Sequence, residues 1–173
     1  MSIKLVLSIA IICCSSLLGF IISNTYIERT KLIKGLLSTL QMLETEIVYG
    51  ATPLPILLKK IGNKSKKEIG DIFLYTSNLL NEKQGENFEK IWNDSVSKKV
   101  KGTAFTNDDV EILLSLGKNL GISNCEDQVK HIKLIREEFK RQYEISIIEQ
   151  NKNAKLYKNL GFLLGLSIVI ILY

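Results

Sequence analysis

Two apolar ends enclose a charged middle, and this arrangement limits the possible folds more than any other feature of the chain. From Ile3 to Ile22 the only charged residue is Lys4. A run of that length crosses a hydrocarbon core of roughly 30 Å at about 1.5 Å per helical residue. From Leu160 to Tyr173 there is no charge. Starting this second segment at Leu156, with Lys158 extending its ammonium to the headgroups, gives a length of about 27 Å. The expected organisation is a transmembrane helix at 3–22, a soluble domain at 24–155 and a transmembrane helix at 156–173.

A cleaved secretory signal also opens with a basic residue ahead of an apolar run. Its core is roughly 7–15 residues, however, and a small-x-small cleavage site follows it. The first segment is longer and offers no such site. Cys13 follows Ile12 and Cys14 follows Cys13, where a lipoprotein signal needs a small residue. The segment reads as a retained helix.

The net charge is +5, and its distribution sets an orientation. Residues 35–149 hold 16 basic and 17 acidic side chains, so the soluble domain is nearly neutral. The excess lies beside the spans, at Arg29, Lys31 and Lys34 on one side and at Lys152, Lys155 and Lys158 on the other. Positive flanks face the cytoplasm, so the central domain is expected there and both chain ends across the membrane. A nearly neutral domain also argues against nucleic-acid binding, which needs a basic face on the folded unit. Cys125 stands alone in the soluble part, so neither an intramolecular disulfide nor a zinc site can be built there.

The middle punctuates as helices, with apolar residues three and four apart and Gly between the runs. The first helix extends from about Asn24 to Tyr49. Thr52-Pro53 marks a restart, a hydroxyl cap followed by Pro at the first helical position, and Gly62 is expected to end that helix. A third helix spans about Lys66–Lys83 and a fourth about Asn87–Lys99, with Phe88, Ile91, Trp92 and Val96 as its stripe. Thr106 to Asp109 forms a capping box with a short acid, and Gly121 closes the helix it opens. Ser123 to Glu126 fits the same pattern, and no Pro or Gly follows before Leu160, so the sixth helix is expected to run on into the membrane. No segment alternates in the manner of a strand. The predicted fold is all-α: a compact six-helix antiparallel bundle flanked by N- and C-terminal transmembrane helices, with both bundle termini at the end facing the bilayer.

Catalytic machinery is not in evidence, and no catalytic, cofactor-binding or metal-ligating residue is assigned. His131 is the one histidine, set among Lys130, Lys133 and Arg136, and reads as a surface residue. Gly62-Asn63-Lys64-Ser65 lacks the upstream Gly and the Gly before Lys that a phosphate loop requires. Paired acids one or two apart do not face each other on a helix. Glu44 and Glu46 lie near the C-terminus of their helix, where the dipole disfavours negative charge, which points to a partner cation or a binding role. Lys59, Lys60, Lys64, Lys66 and Lys67 form a basic cluster suited to a solvated loop or to an acidic protein or lipid surface. In the spans, Ser15, Gly19 and Ser23 repeat every four residues, and Gly161 and Gly165 form a G-x-x-x-G pair. Both are suited to close helix packing, on each other or on another membrane protein.

Laid out in this way, the chain resembles the stage III sporulation protein AB family of endospore-forming bacteria over essentially its whole length. The resemblance rests on the block from Leu43 through Glu44, Glu46, Tyr49, Thr52 and Pro53 to Leu54, on Leu116-Gly117-Lys118-Asn119-Leu120-Gly121, on Gln128 with Ile132, and on the tail from Leu160 to Leu166. It departs at Asn124, where the family is expected to carry Asp; both residues cap helices. The family is similar to the inner-membrane platform proteins of type II secretion and type IV pilus systems. The resemblance implies a non-enzymatic platform in a complex joining mother cell and forespore. It implies a site in the outer forespore membrane, with the soluble domain in the mother-cell cytoplasm. Its implied partners are a companion cytoplasmic ATPase, membrane subunits of the channel complex and the lipid bilayer, with assembly of several copies and no cofactor. Glu44, Glu46, Tyr49, Thr52 and Pro53, and separately the 59–67 lysines, are the expected protein contacts. A membrane-anchored platform or binding module of a secretion or pilus system outside sporulation is the alternative.

Overall fold

A computed structural model of the chain describes residues 2–50, 52–83, 85–121 and 124–172. Among these described residues all regular structure is helical: α1 (Ser2–Tyr49), α2 (Leu54–Lys64), α3 (Lys67–Glu82), α4 (Phe88–Lys99), α5 (Asn107–Ser115) with a 3-10 turn at Leu116–Lys118, α6 (Cys125–Glu149), a π-helical turn at Gln150–Ala154, and α7 (Lys155–Leu172). The last three segments follow without a break, so the described residues form six helices. The first and last are long and apolar enough to be membrane spans.

The chain divides into two compact units. One holds residues Lys31–Glu144; the other holds the residues up to Thr30 together with those from Ile145 onward. These limits describe packing within the protein and are a separate matter from the proposed bilayer boundaries at 3–22 and 156–173.

The Lys31–Glu144 unit is built around Trp92. Its ring lies edge-on to Phe73 at 5.3 Å between centroids and stacks on Phe88 at 6.2 Å. Its indole N–H donates to the Leu113 carbonyl at 2.8 Å. Leu36, Leu40 and Leu43 of α1, Ile69 and Ile72 of α3, and Ile132 and Phe139 of α6 complete the buried core. The contacts run in opposite directions along neighbouring helices. Thr39 meets Ser65 while Glu46 meets Lys60, and Glu44 meets Arg136 while Ile47 meets Cys125.

The helix ends follow local chemistry, with three departures from expectation. Thr106 and Asp109 form the anticipated capping box, and the Asn87 side chain caps α4. Asn124 caps α6 by accepting from the Asp127 N–H at 2.8 Å; Ser123, where that box was placed, lies outside the described residues. At α2 the cap position belongs to Pro53 rather than Thr52, because the Pro53 carbonyl accepts from Leu57 N at 3.0 Å and closes the first turn. Pro53 and Pro55 both lack an N–H at positions where a helix start cannot use one. Gly62 does not end α2, which continues to Lys64. It sits where α2 crosses α3, and a Cβ there would lie 2.7 Å from Leu74 Cγ. Finally, His131 is not a free surface residue: its Nε2 lies 2.9 Å from the Ser115 carbonyl, joining α6 to the end of α5.

At the α3–α4 turn, hydrogen bonds from Lys90 and Lys83 hold the Glu86 carboxyl below its ordinary value. Two expectations follow. Trp92→Phe removes the indole donor, leaving the Leu113 carbonyl to the Leu116 N–H, and shrinks a fully buried ring; it should cost about 1–3 kcal/mol in urea denaturation. In an NMR titration Glu86 should protonate below a free glutamate, and Lys90→Met should move its midpoint back up. The ion pairs therefore contribute at neutral pH and are lost as pH falls through the folded-state value.

Candidate functional site at the α1–α2 corner

α1 ends at Tyr49 because Gly50 leaves the helix, its N–H still donating to the Glu46 carbonyl at 2.8 Å. The chain turns through Thr52 and Pro53 into α2. Across from this corner, Gly121 adopts φ +80° and turns the chain out of the α5 region toward α6. A left-handed residue is needed there and only Gly adopts it freely. The Gly121 N–H donates to Gln128 Oε1 at 3.3 Å, and the Cys125 thiol to the Ile47 carbonyl at 3.3 Å. The result is a small open cleft of about 210 Å³ between Gly50, Thr52, Leu54, Gly121, Cys125 and Gln128. Immediately before Gly50 of this lining the chain carries Tyr49, 86% exposed, and the exposed Val48. An aromatic left this open on a folded unit is an economical anchor for a partner.

The two acids of this region are turned inward to their own chain. Glu44 pairs with the Arg136 guanidinium and lies 3.8 Å from the Lys133 ammonium, with its side chain only 16% exposed. Glu46 pairs with Lys60 at 2.7 Å. These bridges fasten α1 to α6 and to α2 just below the cleft. They also answer the unfavourable placement of carboxylates at a helix C-terminus, since each brings a cation from a neighbouring helix.

Of the lysine cluster, Lys60 reaches this corner through its bridge to Glu46. Lys64 and Lys66 sit at the far end of α2, about 16 Å along an 11-residue helix from the cleft. There they line a groove of about 490 Å³ with Lys31, Lys34, Ser38 and Thr39. Lys60 is taken by Glu46, while Lys59 and Lys67 are exposed. Periodicity alone did not reveal Lys31 and Lys34 as neighbours of Lys64 and Lys66, nor Cys125 and Gly121 as cleft residues. Their proximity depends on antiparallel packing across long sequence separations. Among the described residues no group of three His, Cys, Asp or Glu side chains could hold a metal ion.

In the other unit, Ser15, Gly19, Gly161 and Gly165 are brought together. The Ser15 hydroxyl donates to the Gly161 carbonyl. A Cβ on Gly19 would lie 2.6 Å from the Tyr157 carbonyl oxygen and 2.8 Å from Gly161 Cα. Ser23 is buried in the same unit. The two apolar helices thus pack backbone against backbone.

A profile of the stage III sporulation protein AB family matches residues 4–173. The chain belongs to that family. The stage III sporulation protein AB of Bacillus subtilis (strain 168) is 31% identical over 169 residues, covering 98% of each chain. A solved structure of a stage III sporulation protein AB superposes with a TM-score of 0.67 at 28% identity, over 72% of this chain and 98% of that one. In this member of the family, the residues that carried the sequence resemblance divide among three places, with Leu116, Gly117, Leu120 and Ile132 in the core around Trp92. The block from Leu43 to Leu54 and Gln128 build the corner cleft and its supports, and the Leu160–Leu166 tail builds the helix seam.

A double-mutant cycle tests the assignment of Glu44 to internal support. Glu44→Gln and Arg136→Gln should each cost about 1.5–3 kcal/mol in chemical denaturation, and the pair together clearly less than their sum. Tyr49→Ala, at an exposed position, should stay within about 0.5 kcal/mol of the parent.

Proposed function

We propose that the chain is a non-enzymatic membrane platform in the complex joining mother cell and forespore during endospore formation. In this reading both terminal helices cross the outer forespore membrane, and the Lys31–Glu144 unit lies in the mother-cell cytoplasm. The unit couples a companion cytoplasmic ATPase to the membrane subunits, in an assembly of several copies.

The observation that carries the proposal is the exposed Tyr49 beside a cleft whose supporting charges are already paired internally. A docking corner of this kind is stiff, and stiffness lowers the ordering cost of binding. Two further features support the reading. The basic flanks at Arg29–Lys34 and Lys152–Lys158 favour a cytoplasmic central domain. Membership of a sporulation family favours this setting over a secretion or pilus platform elsewhere.

The pairing of Glu44 and Glu46 changes which residues should be tested. Reversing Glu44 would loosen the fold and reversing Glu46 would break its bridge to Lys60, so the informative substitution is Tyr49→Ser, with Thr52→Arg as a second probe of the cleft. Full-length variants would be used to capture the companion ATPase from sporulating cells. Tyr49→Ser should reduce capture at least tenfold, the scale of an aromatic anchor, with the melting temperature unchanged. Charge reversal at Lys59 and Lys67 should leave capture intact. Undiminished capture by both cleft variants would mean that the ATPase binds elsewhere.

A further inference from the structure

Beside the seam where Gly19 meets Gly161, α1 and α7 border an open groove of about 980 Å³. Its walls are apolar along most of its length, with Ile12, Leu17, Phe20 and Phe162 among them, and the small side chains of Cys13 and Ser16 leave it room. One end is different. Lys158 and Asn159 line the groove there, at the same end as Phe20, because Gly19 packs on the Tyr157 carbonyl. From Phe20 to Ile12 the groove descends about 12 Å along α1.

The polar end has no counterpart among the described residues. Lys158 makes no ion pair among the described residues, and residues 150–173 contain no acid to provide one. The Asn159 amide is likewise exposed and without a protein hydrogen bond among the described residues. An ammonium at the edge of an apolar segment is costly unless it reaches water or an anion. A third helix would cover the apolar walls but leave that charge unanswered. A molecule with an anionic head and an apolar tail would satisfy both ends of the groove.

We propose that this groove is a binding site for one anionic phospholipid. Its phosphate is held by the Lys158 ammonium and the Asn159 amide, and an acyl chain lies along Phe20, Leu17 and Ile12. The proposal rests on the reading that both terminal helices are embedded in a bilayer, and makes that embedding chemically selective. It also gives Lys158 a role that Lys152 and Lys155, outside the groove, do not share.

Native mass spectrometry of the full-length chain in mild detergent would test it, with phosphatidylglycerol or phosphatidylcholine of matched acyl chains as the probe. One phosphatidylglycerol should be retained about fivefold more than phosphatidylcholine, the scale of one lysine acting on one anionic headgroup. Lys158→Gln should abolish the preference and Lys152→Gln should keep it. Ser16→Leu, which fills the groove, should reduce retention of both lipids. Equal retention of the two lipids by the parent chain, a preference that survives Lys158→Gln, or a second copy of the chain bound in place of lipid would each overturn the site. Alkaline carbonate separates this from the broader reading. A chain released from membranes by carbonate refutes the embedding, whereas a chain that stays embedded without lipid preference refutes only the site.

Discussion

The hydrogen bond from the Trp92 indole to the Leu113 carbonyl organises the Lys31–Glu144 unit. A buried indole N–H must find an acceptor, and a carbonyl that already lies at the end of a short helix has a lone pair to offer. This fixes α4 against the end of α5. The adjoining 3-10 turn is fitted to the same ring, since a Cβ on Gly117 would lie 2.6 Å from Trp92 Cδ1. With α5 stopped there, the chain must reverse at Gly121 before α6 can begin. The start of α6 is thereby placed against the end of α1, and the corner cleft is the consequence. Its shape is set by core packing some distance away, so its residues need little chemistry of their own.

Charge then refines what packing allows. Glu44 and Glu46 stand near the end of α1, where the helix dipole opposes them, and each would be a poor choice on an isolated helix. Arg136 and Lys60 come from different helices, and the two bridges therefore select how α6 and α2 slide along α1. The Glu46–Lys60 pair is exposed enough to contribute little stability. The Glu44–Arg136 pair is more enclosed, and removal of one partner would leave the other charge with poor solvation. Selection of register is the function these placements have in common.

Features governed by neighbours in sequence were legible from the sequence. The Thr106–Asp109 box, the Trp92 stripe and the uninterrupted final helix all depend on spacing within one turn or one helix face. The failures have a common cause as well. Gly62 looked like a terminator because its packing partner, on α3, is invisible to a local pattern. His131 looked free because its acceptor is sixteen residues away on another element. The two proposed contact surfaces meet at the Glu46–Lys60 pair and otherwise separate along α2, although Pro53 and Lys59 are only six positions apart in the sequence. A helix separates its own ends, and a site made of several helix ends can be seen only after the helices are packed.

The π-helical turn at Gln150–Ala154 follows from a conflict between two packing periods. In α6 the buried positions are Ile132, Ile135, Phe139 and Ser146, with Ile132, Phe139 and Ser146 lying seven apart. Continued unchanged, that repeat would bring residues 153 and 160 to the buried side. Leu160 is instead 41% exposed, and the buried position is Gly161. A π turn accommodates one extra residue and so shifts the phase of everything after it by one position. Without it, a leucine would fall where the α1 backbone approaches within van der Waals contact, and Gly19 could not meet Gly161. The turn is placed directly after Glu149, whose carboxylate pairs with the buried Arg29 at 2.6 Å. That pair fixes the helix in register immediately before the phase changes. Within this unit the ion pair and the turn together set Gly161 and Gly165 against the α1 backbone.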